Sequence, residues 1–465
     1  MNVNRRGVLK GLAALAAGAA TTTTIASAAA PEAAAAPGAA LPGAGALLAA
    51  GTLPYPRLKP GTDTIPQVEH IVVLMMENHS FDNKLGMLRR PGVDGFTLAA
   101  DGKPTATNLY PNGKDKQRAF RMPTTCQPGG GPSQTWDASH TAYDGGRNDG
   151  FVRASGAVAM GYWEQADQPF YYSVADTFPV ADRYFCSVLG QTYPNRRYLL
   201  AATSLGLVND DQVWDLADYP KNGTIFDQLN AHGITWRDYW STTPTVLLYP
   251  YLLVKHPANA RNVVPVSHFF TDAATGALPG FCLVEPDYGT SSEEDPQNIA
   301  SGEAFAAKVI NAVMSGPKWA STLLIWTYDE HGGYYDHVPP PAAIPPDDIA
   351  PDGLLGGPRF DGFGRYGFRV PCVVVSPWAR PGYVSHRVFD HTSILKLVET
   401  KWNLPALTHR DANANNMLDM LDLTHPAFAT PAALARPLLD TNPAALACNI
   451  SGPGTIPPPG SVIPV

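Results

Sequence analysis

The segment His70-Ile-Val-Val-Leu-Met-Met-Glu-Asn-His-Ser-Phe-Asp82 constrains the fold more than any other part of the chain. Its apolar stretch from Ile71 to Met76 predicts a strand buried on both faces, as in parallel sheets covered by helices. The stretch stops at Glu77, Asn78 and His79, so polar side chains fall at the carboxyl end of a strand, where ligands gather in open α/β sheets. Leu323-Leu-Ile-Trp-Thr-Tyr328 repeats the design and runs into Asp329-Glu330-His331-Gly332-Gly333. Two strands delivering oxygen donors to one edge predict a hydrolytic metal centre.

The intervening segments supply helices. Phe305, Val309 and Val313 recur at helical spacing just before the strand of residues 322–328. Val370 to Ser376 predicts another strand, and Ile394, Val398 and Trp402 a helix that follows Asp390-His391-Thr392-Ser393. Phe170 to Phe178 reads as a helix, and Cys186 to Arg197 as strand, turn and helix start, with Pro194 suited to a first helical turn. Alternating strands and helices make the fold class α/β.

The ends read differently. Asn4-Arg5-Arg6-Gly7-Val8-Leu9-Lys10, an Ala-rich stretch and the small-x-small site Ala26-Ser27-Ala28 form a twin-arginine signal over residues 1–28. Export by that route, to the periplasm, the cell wall or the medium, carries proteins already folded and is compatible with a metal loaded beforehand. Residues 29–65 form an Ala/Pro-rich, flexible lead-in, 66–448 a single catalytic domain and 449–465 a Pro-rich tail. With 42 glycines and 45 prolines the core is expected to carry long loops, and the stretch 83–165 is expected to form a lid. A net charge of −8 excludes a basic nucleic-acid footprint. Five cysteines without a CxxC pair argue against a thiolate metal site and allow at most two disulfides.

With Glu77-Asn-His-Ser-Phe-Asp82, Thr192-Tyr-Pro-Asn-Arg196, Thr327-Tyr-Asp-Glu-His-Gly-Gly333, Asp336-His337-Val338 and Ser376-Pro-Trp378 assembled, the chain resembles the bacterial phosphoesterase family of phospholipases C and acid phosphatases. It is most similar to the phospholipase C branch, over roughly residues 66 to 405. The resemblance implies an alkaline-phosphatase-like core, a largely parallel sheet flanked by helices. It also implies one divalent cation (Ca²⁺, Mg²⁺, Mn²⁺ or Zn²⁺) held by Glu77, Asn78, Thr192, Asp329 and Glu330, with Thr192 as nucleophile and a phosphothreonine intermediate. A helix opening near Thr192 would aim backbone N–H groups at phosphate, although Thr192 also suits a helix N-cap. Asn195 and Arg196 are motif members for phosphate contact or for packing and ion pairing.

His140, His331 and His337 lie in motif-like contexts as proton donors or phosphate contacts, the first two as catalytic candidates. Two family imidazoles are replaced. Gln134 stands where many members carry a His ahead of an aromatic residue, and Asp295, in Glu293-Glu294-Asp295-Pro296, where they carry a His before Pro. Gln134 donates a hydrogen bond but no proton, whereas a desolvated Asp295 can act as an acid. Tyr162, Trp163, Tyr171, Tyr172, Trp236, Tyr239 and Trp240 offer either a choline-binding cage or core. The expected activity is phospholipase C-type hydrolysis of phospholipids, with transient contact to a membrane surface. The alternatives are a phosphatase or phosphodiesterase for soluble esters, and a non-catalytic phosphate- or lipid-binding relative.

Overall fold

Seven residues with no polar side chain except His70 make β1 (His70–Met76), and every one of them is buried. The computed structural model describes residues 47–127, 131–215, 217–352, 360–446 and 460–465. The twin-arginine segment, Gly129-Gly130, Cys448 and Pro457 to Pro459 lie outside the described residues. The other strands of the main sheet are β2 (Val180–Ala181), β3 (Trp236–Trp240), β4 (Val263–Pro265), β5 (Phe281–Val284), β6 (Thr322–Tyr328), β7 (Cys372–Val375) and β8 (Val384–Ser385). They lie in the order β8-β2-β7-β6-β1-β5-β3-β4.

The five strands from β4 to β6 are mutually parallel, and only β7 runs against its neighbours. Helices cover the sheet: α1 (Phe81–Leu85), α3 (Pro169–Thr177), α4 (Thr192–Ala201), α5 (Ile299–Ser315) and α6 (His391–Trp402), while α2 (Trp136–Tyr143) lies in the insertion between α1 and α3, outside the sheet core. α5 carries the chain from β5 across β1 to β6, the crossover that parallel pairing demands. The α/β class and the largely parallel sheet agree with the expectation. Burying a Val, Leu or Ile side chain contributes about 1.5–3 kcal/mol, which explains why β1 and β6 hold the centre of the sheet.

Three expectations are corrected. Cys186 does not begin a strand: the sheet is joined earlier, at Val180–Ala181, and residues 187–190 form a bend. The reason is local, because the Asn195 side chain bonds the N–H and C=O of Val188 that a strand partner would take. Residues 83–165 are no bare lid; they hold α2, short strands and a second hydrophobic cluster of Phe96, Phe120, Met122, Phe151, Tyr162 and Trp163. Within the lead-in, residues 47–65 are tied to the body rather than flexible: Gly51 N–H donates to Ala406 O, Tyr55 N–H to Asn403 Oδ1 and Thr64 N–H to Lys401 O. At the other end Val462–Pro464 adds a strand beside Asp115–Arg118. Cys126 is disulfide-bonded, and Cys186, Cys282 and Cys372 are buried free thiols.

Candidate active site

Register brings the two polar strand ends together. Met76 of β1 pairs with Tyr328 of β6, so the next residues, Glu77 and Asp329, leave the sheet side by side. Glu77 is 1 % exposed, and Asp329 and Glu330 are fully buried. Burial pushes the Asp329 carboxyl up to about 7, against the pull of the Arg196 guanidinium, and raises Glu330 well above the usual range with Asp329 adding to the effect. Among the described residues Glu77 Oε2 and Glu330 Oε1 are buried without a hydrogen-bond partner. Orphaned carboxylate oxygens in a dry site are costly unless a proton or a cation meets them. Hard oxygens from a Glu, a Glu and an Asp fit a divalent cation by donor type.

The turn after β6 is pressed against the turn after β1. Gly332, at φ +65°, has no room for a side chain: a Cβ there would stand 1.9 Å from the Asn78 carbonyl oxygen. Its N–H donates to Glu330 Oε2 at 2.8 Å. The Asp329 carbonyl accepts from or faces His391 Nε2 at 2.7 Å, and the Tyr184 hydroxyl lies 3.1 Å from the same imidazole's Nδ1. The first turn of α6 thereby holds the turn that carries Asp329.

α4 supplies the hydroxyl. Thr192 and Arg196 are four residues apart and share one face of the helix. Arg196 Nε donates to Asp329 Oδ2 at 2.9 Å, and its Nη2 lies 3.6 Å from Glu77 Oε1, which turns that face towards the strand ends. Among the described residues the buried Thr192 hydroxyl makes no hydrogen bond. Thr192 is not the cap of α4; that position falls to Gln191, whose side chain does not cap.

Asp210, which the sequence did not single out, does part of that work. Its Oδ1 accepts the Tyr193 N–H at 2.8 Å and its Oδ2 the Gln191 Nε2 at 3.2 Å. A carboxylate from a loop 17 residues away therefore already meets an N–H of the first helical turn. Asn195 is not free for phosphate. Its Oδ1 accepts the Val188 N–H, and its Nδ2 donates to the carbonyls of Val188, Gly190 and Gln191, shaping the bend that leads into Thr192.

The histidines separate by environment. His331 is buried against Phe151 and Phe368, neither ring nitrogen has a hydrogen bond, and burial lowers its pKa to about 3. Its Nδ1 lies 3.2 Å from Glu330 Oε2. A neutral imidazole there can donate one hydrogen bond to a ligand. His140 lies on α2 with Nδ1 at 2.8 Å from the Trp136 carbonyl, its ring stacked on Phe360 at 4.0 Å. His337 is spent elsewhere, contrary to a phosphate-binding role: Nδ1 meets Asp82 at 2.7 Å and Nε2 meets Asp94 at 3.1 Å. Asp82, Asp336 and His337 present three ligand atoms within 4.8 Å of one another. Arg369 already donates to Asp82 at 3.1 Å and to Asp336 at 2.8 Å, so the cluster contains its own cation.

The segments that carry the two replaced positions pack together. Gly131 packs on Asp295, Gly333 packs on Pro132 and Ser133, and half-buried Gln134 follows directly. The Tyr334 hydroxyl lies 3.3 Å from Asp295 Oδ1. Asp295 keeps some surface, yet this crowding pushes its carboxyl up to about 8. It is therefore mostly protonated at neutral pH. The aromatic residues are core: Tyr162, Trp163, Tyr171, Tyr172, Trp236 and Tyr239 are buried. A cage does form from Trp163, Tyr171 and Tyr328, but Lys84 fills it, at 5.4, 5.2 and 5.8 Å from the ring centres. Lys84 is also paired with Glu293 at 2.6 Å.

The model of a family described as the phosphoesterase family matches residues 68–405. Non-specific phospholipase C6 of Arabidopsis thaliana is 32% identical over 413 residues, covering 81% of this chain and 77% of that one. Phospholipase C A of Mycobacterium tuberculosis is 30% identical over 430 residues, covering 82% of each. A solved structure in the alkaline phosphatase superfamily, from Vibrio parahaemolyticus, covers 64% of this chain and 72% of its own at 10% identity and a TM-score of 0.33, too slight a likeness to bear on the site.

Proposed function

The chain belongs to the phosphoesterase family and is a hydrolase of phosphoester bonds, and from that premise we propose that it is a metal-dependent phospholipase C. One observation carries the metal: Glu77 Oε2 and Glu330 Oε1 lie buried and unpartnered at adjacent strand ends, beside the face of α4 that bears Thr192. Glu77, Asn78, Asp329, Glu330 and Thr192 would hold one divalent ion. Bound there, it lowers the pKa of an oxygen ligand and neutralises phosphoryl charge.

The chain's own groups account for the rest. Thr192 gives its hydroxyl proton to solvent water, its Oγ attacks phosphorus, the bond from phosphorus to the diacylglycerol oxygen breaks, and a phosphothreonine forms. Asp295, protonated at neutral pH, delivers the proton to the departing alkoxide. The resulting carboxylate takes a proton from the water that hydrolyses the phosphothreonine, which releases the phosphorylated head group and returns Thr192, reprotonated from solvent. Neutral His331 donates a hydrogen bond to a phosphoryl oxygen, and Gln134, three residues past the Gly131 that packs on Asp295, supplies another. His140 stacks on Phe360, and its Nε2 lies 3.7 Å from Asp361.

Lipid as substrate draws support from the relatives and from exposed apolar side chains on the loops near α2 and α4. Trp214 stands four residues past Asp210, and Phe360, which stacks on His140, is about half exposed. Transient contact with a membrane surface is part of the proposal; no helix among the described residues is long and apolar enough to cross one. Export rests on the Asn4–Lys10 pattern.

The test is phosphocholine release from phosphatidylcholine vesicles beside p-nitrophenyl phosphate hydrolysis, each with and without chelator. Chelator-sensitive release of phosphocholine is expected. Hydrolysis of the monoester alone would transfer the protein to the soluble phosphatase reading. Turnover of neither with metal supplied would favour a phosphate-binding relative.

A further inference from the structure

Arg196 projects from α4 into the space between the ends of three neighbouring parallel strands, β6, β1 and β5. Each strand end sends it a carboxylate. Asp329 Oδ2 takes its Nε at 2.9 Å, Glu77 Oε1 lies 3.6 Å from Nη2, and Glu285 Oε2 lies 3.9 Å from Nη1. Nη1 also reaches Thr245 Oγ1 at 3.4 Å, and Nη2 the Met76 carbonyl at 3.5 Å. The Tyr288 ring flanks the guanidinium at 5.1 Å. Arg196 and the three carboxylates are each at most 2 % exposed, so water does little to screen them.

Glu77 is divided between two positions. One oxygen faces Arg196, and the other is the unpartnered Oε2. Asp329 is held at both oxygens: Oδ2 accepts from Arg196, and Oδ1 accepts the Glu330 backbone N–H at 2.8 Å. Carboxylates shared between neighbouring cations are what a two-metal phosphoryl-transfer centre requires, the paired charges flanking the attacking and leaving oxygens. Here one of the two positions is filled by a side chain.

We propose that Arg196 is a resident second cation: its guanidinium stands where Glu77, Asp329 and Glu285 would otherwise hold a second divalent ion, and it limits the centre to one metal ion per chain. The inference rests on the reading that Glu77, Asp329 and Glu330 bind a divalent ion. A guanidinium neither dissociates nor loses its proton. The site therefore keeps part of its positive charge at any metal concentration, and Glu77 and Asp329 stay oriented for the exchangeable ion. Arg196 is on this account a positioning residue.

Equilibrium dialysis of the full chain against Mn²⁺, followed by elemental analysis, counts the ions bound. One ion per chain is expected for the wild type and for Arg196→Lys, and two for Arg196→Gly, whose three carboxylates have lost their countercharge. Two ions on the wild type would overturn the inference and leave the cation-binding reading standing. No ion on the wild type would sink both. A single ion on Arg196→Gly would reduce Arg196 to a structural ion pair. If Arg196→Gly is recovered unfolded, Mn²⁺ or guanidinium ion present during refolding is expected to restore its far-ultraviolet circular dichroism, and failure of both overturns the proposal.

Discussion

A threonine hydroxyl at its ordinary pKa is a poor nucleophile at neutral pH, and no base among the described residues is hydrogen-bonded to Thr192. On the proposed reading, activation comes from a cation held by Glu77, Asp329 and Glu330. Thr192→Ala is therefore expected to lower kcat by about 10⁴-fold or more, the scale seen when a nucleophile is removed, while the thermal unfolding midpoint stays close to that of the wild type. Turnover within tenfold of wild type would remove Thr192 from its role. Asp295 gives a pH signature. Burial pushes its carboxyl up to about 8, so the proton it donates in the proposed mechanism is present below that pH and lost above it. The rate should fall as pH rises through about 8, and in Asp295→Asn the slower rate should lack that limb; an unchanged limb in the variant would assign it elsewhere. At this scale, the apolar runs of the sequence end on Glu77 and Asp329, which made those residues legible. Whether a polar side chain is spent on its own backbone is not written locally, which is why Asn195 and His337 read as phosphate contacts.

Between elements, the deciding arrangement is the entry to α4. The bend before Thr192 is shaped by Asn195, and the first turn is met by Asp210 from a separate loop. An acidic group at a helix N-terminus stabilises the helix by satisfying an orphan N–H and opposing the dipole. Asp210→Ala should cost about 1 kcal/mol of stability and lower kcat more than it raises KM, because the loosened turn carries the proposed nucleophile. Asp210→Asn keeps an acceptor oxygen and should recover most of the stability. An effect confined to the unfolding midpoint, with kinetics untouched, would make Asp210 a helix cap and nothing more. β1, β6, α5 and α6 were legible because each buries a regular face for most of its length. The strand expected at Cys186 was not, because its apolar residues are buried by loop packing against Gly367 rather than by sheet pairing. Residues 83–165 hid a second core because its apolar side chains come from short, irregular pieces that carry no period.

Across the whole molecule, the separation of a polar, buried reaction centre from an exposed apolar rim is what would let it act on an aggregated substrate. Trp214 is 41 % and Phe360 49 % exposed, and both stand on loops that continue from parts of the candidate site: Asp210 precedes Trp214, and Phe360 stacks on His140. Leu207 bridges Asp352, which ties the loop leading to Asp210 and Trp214 to the chain that leads towards Phe360. None of this is periodic in sequence, since the loops meet only after the sheet has placed them. With a net charge of −8 the chain as a whole is not drawn to anionic lipid, so the proposed surface binding calls on apolar contact. Partial burial of one large aromatic side chain in an interface contributes on the order of 1.5 kcal/mol, roughly tenfold in affinity. Trp214→Ser and Phe360→Ser are each expected to lower phosphocholine release from zwitterionic vesicles by about that factor, and more when combined. Hydrolysis of a short-chain phosphatidylcholine below its micellar concentration should change little, because that substrate reaches the centre without an interface. Equal losses on both substrates would place these side chains in the catalytic architecture instead. Unchanged vesicle turnover in the double variant would leave the rim without a part in lipid hydrolysis, and a soluble phosphodiester would become the better substrate to pursue.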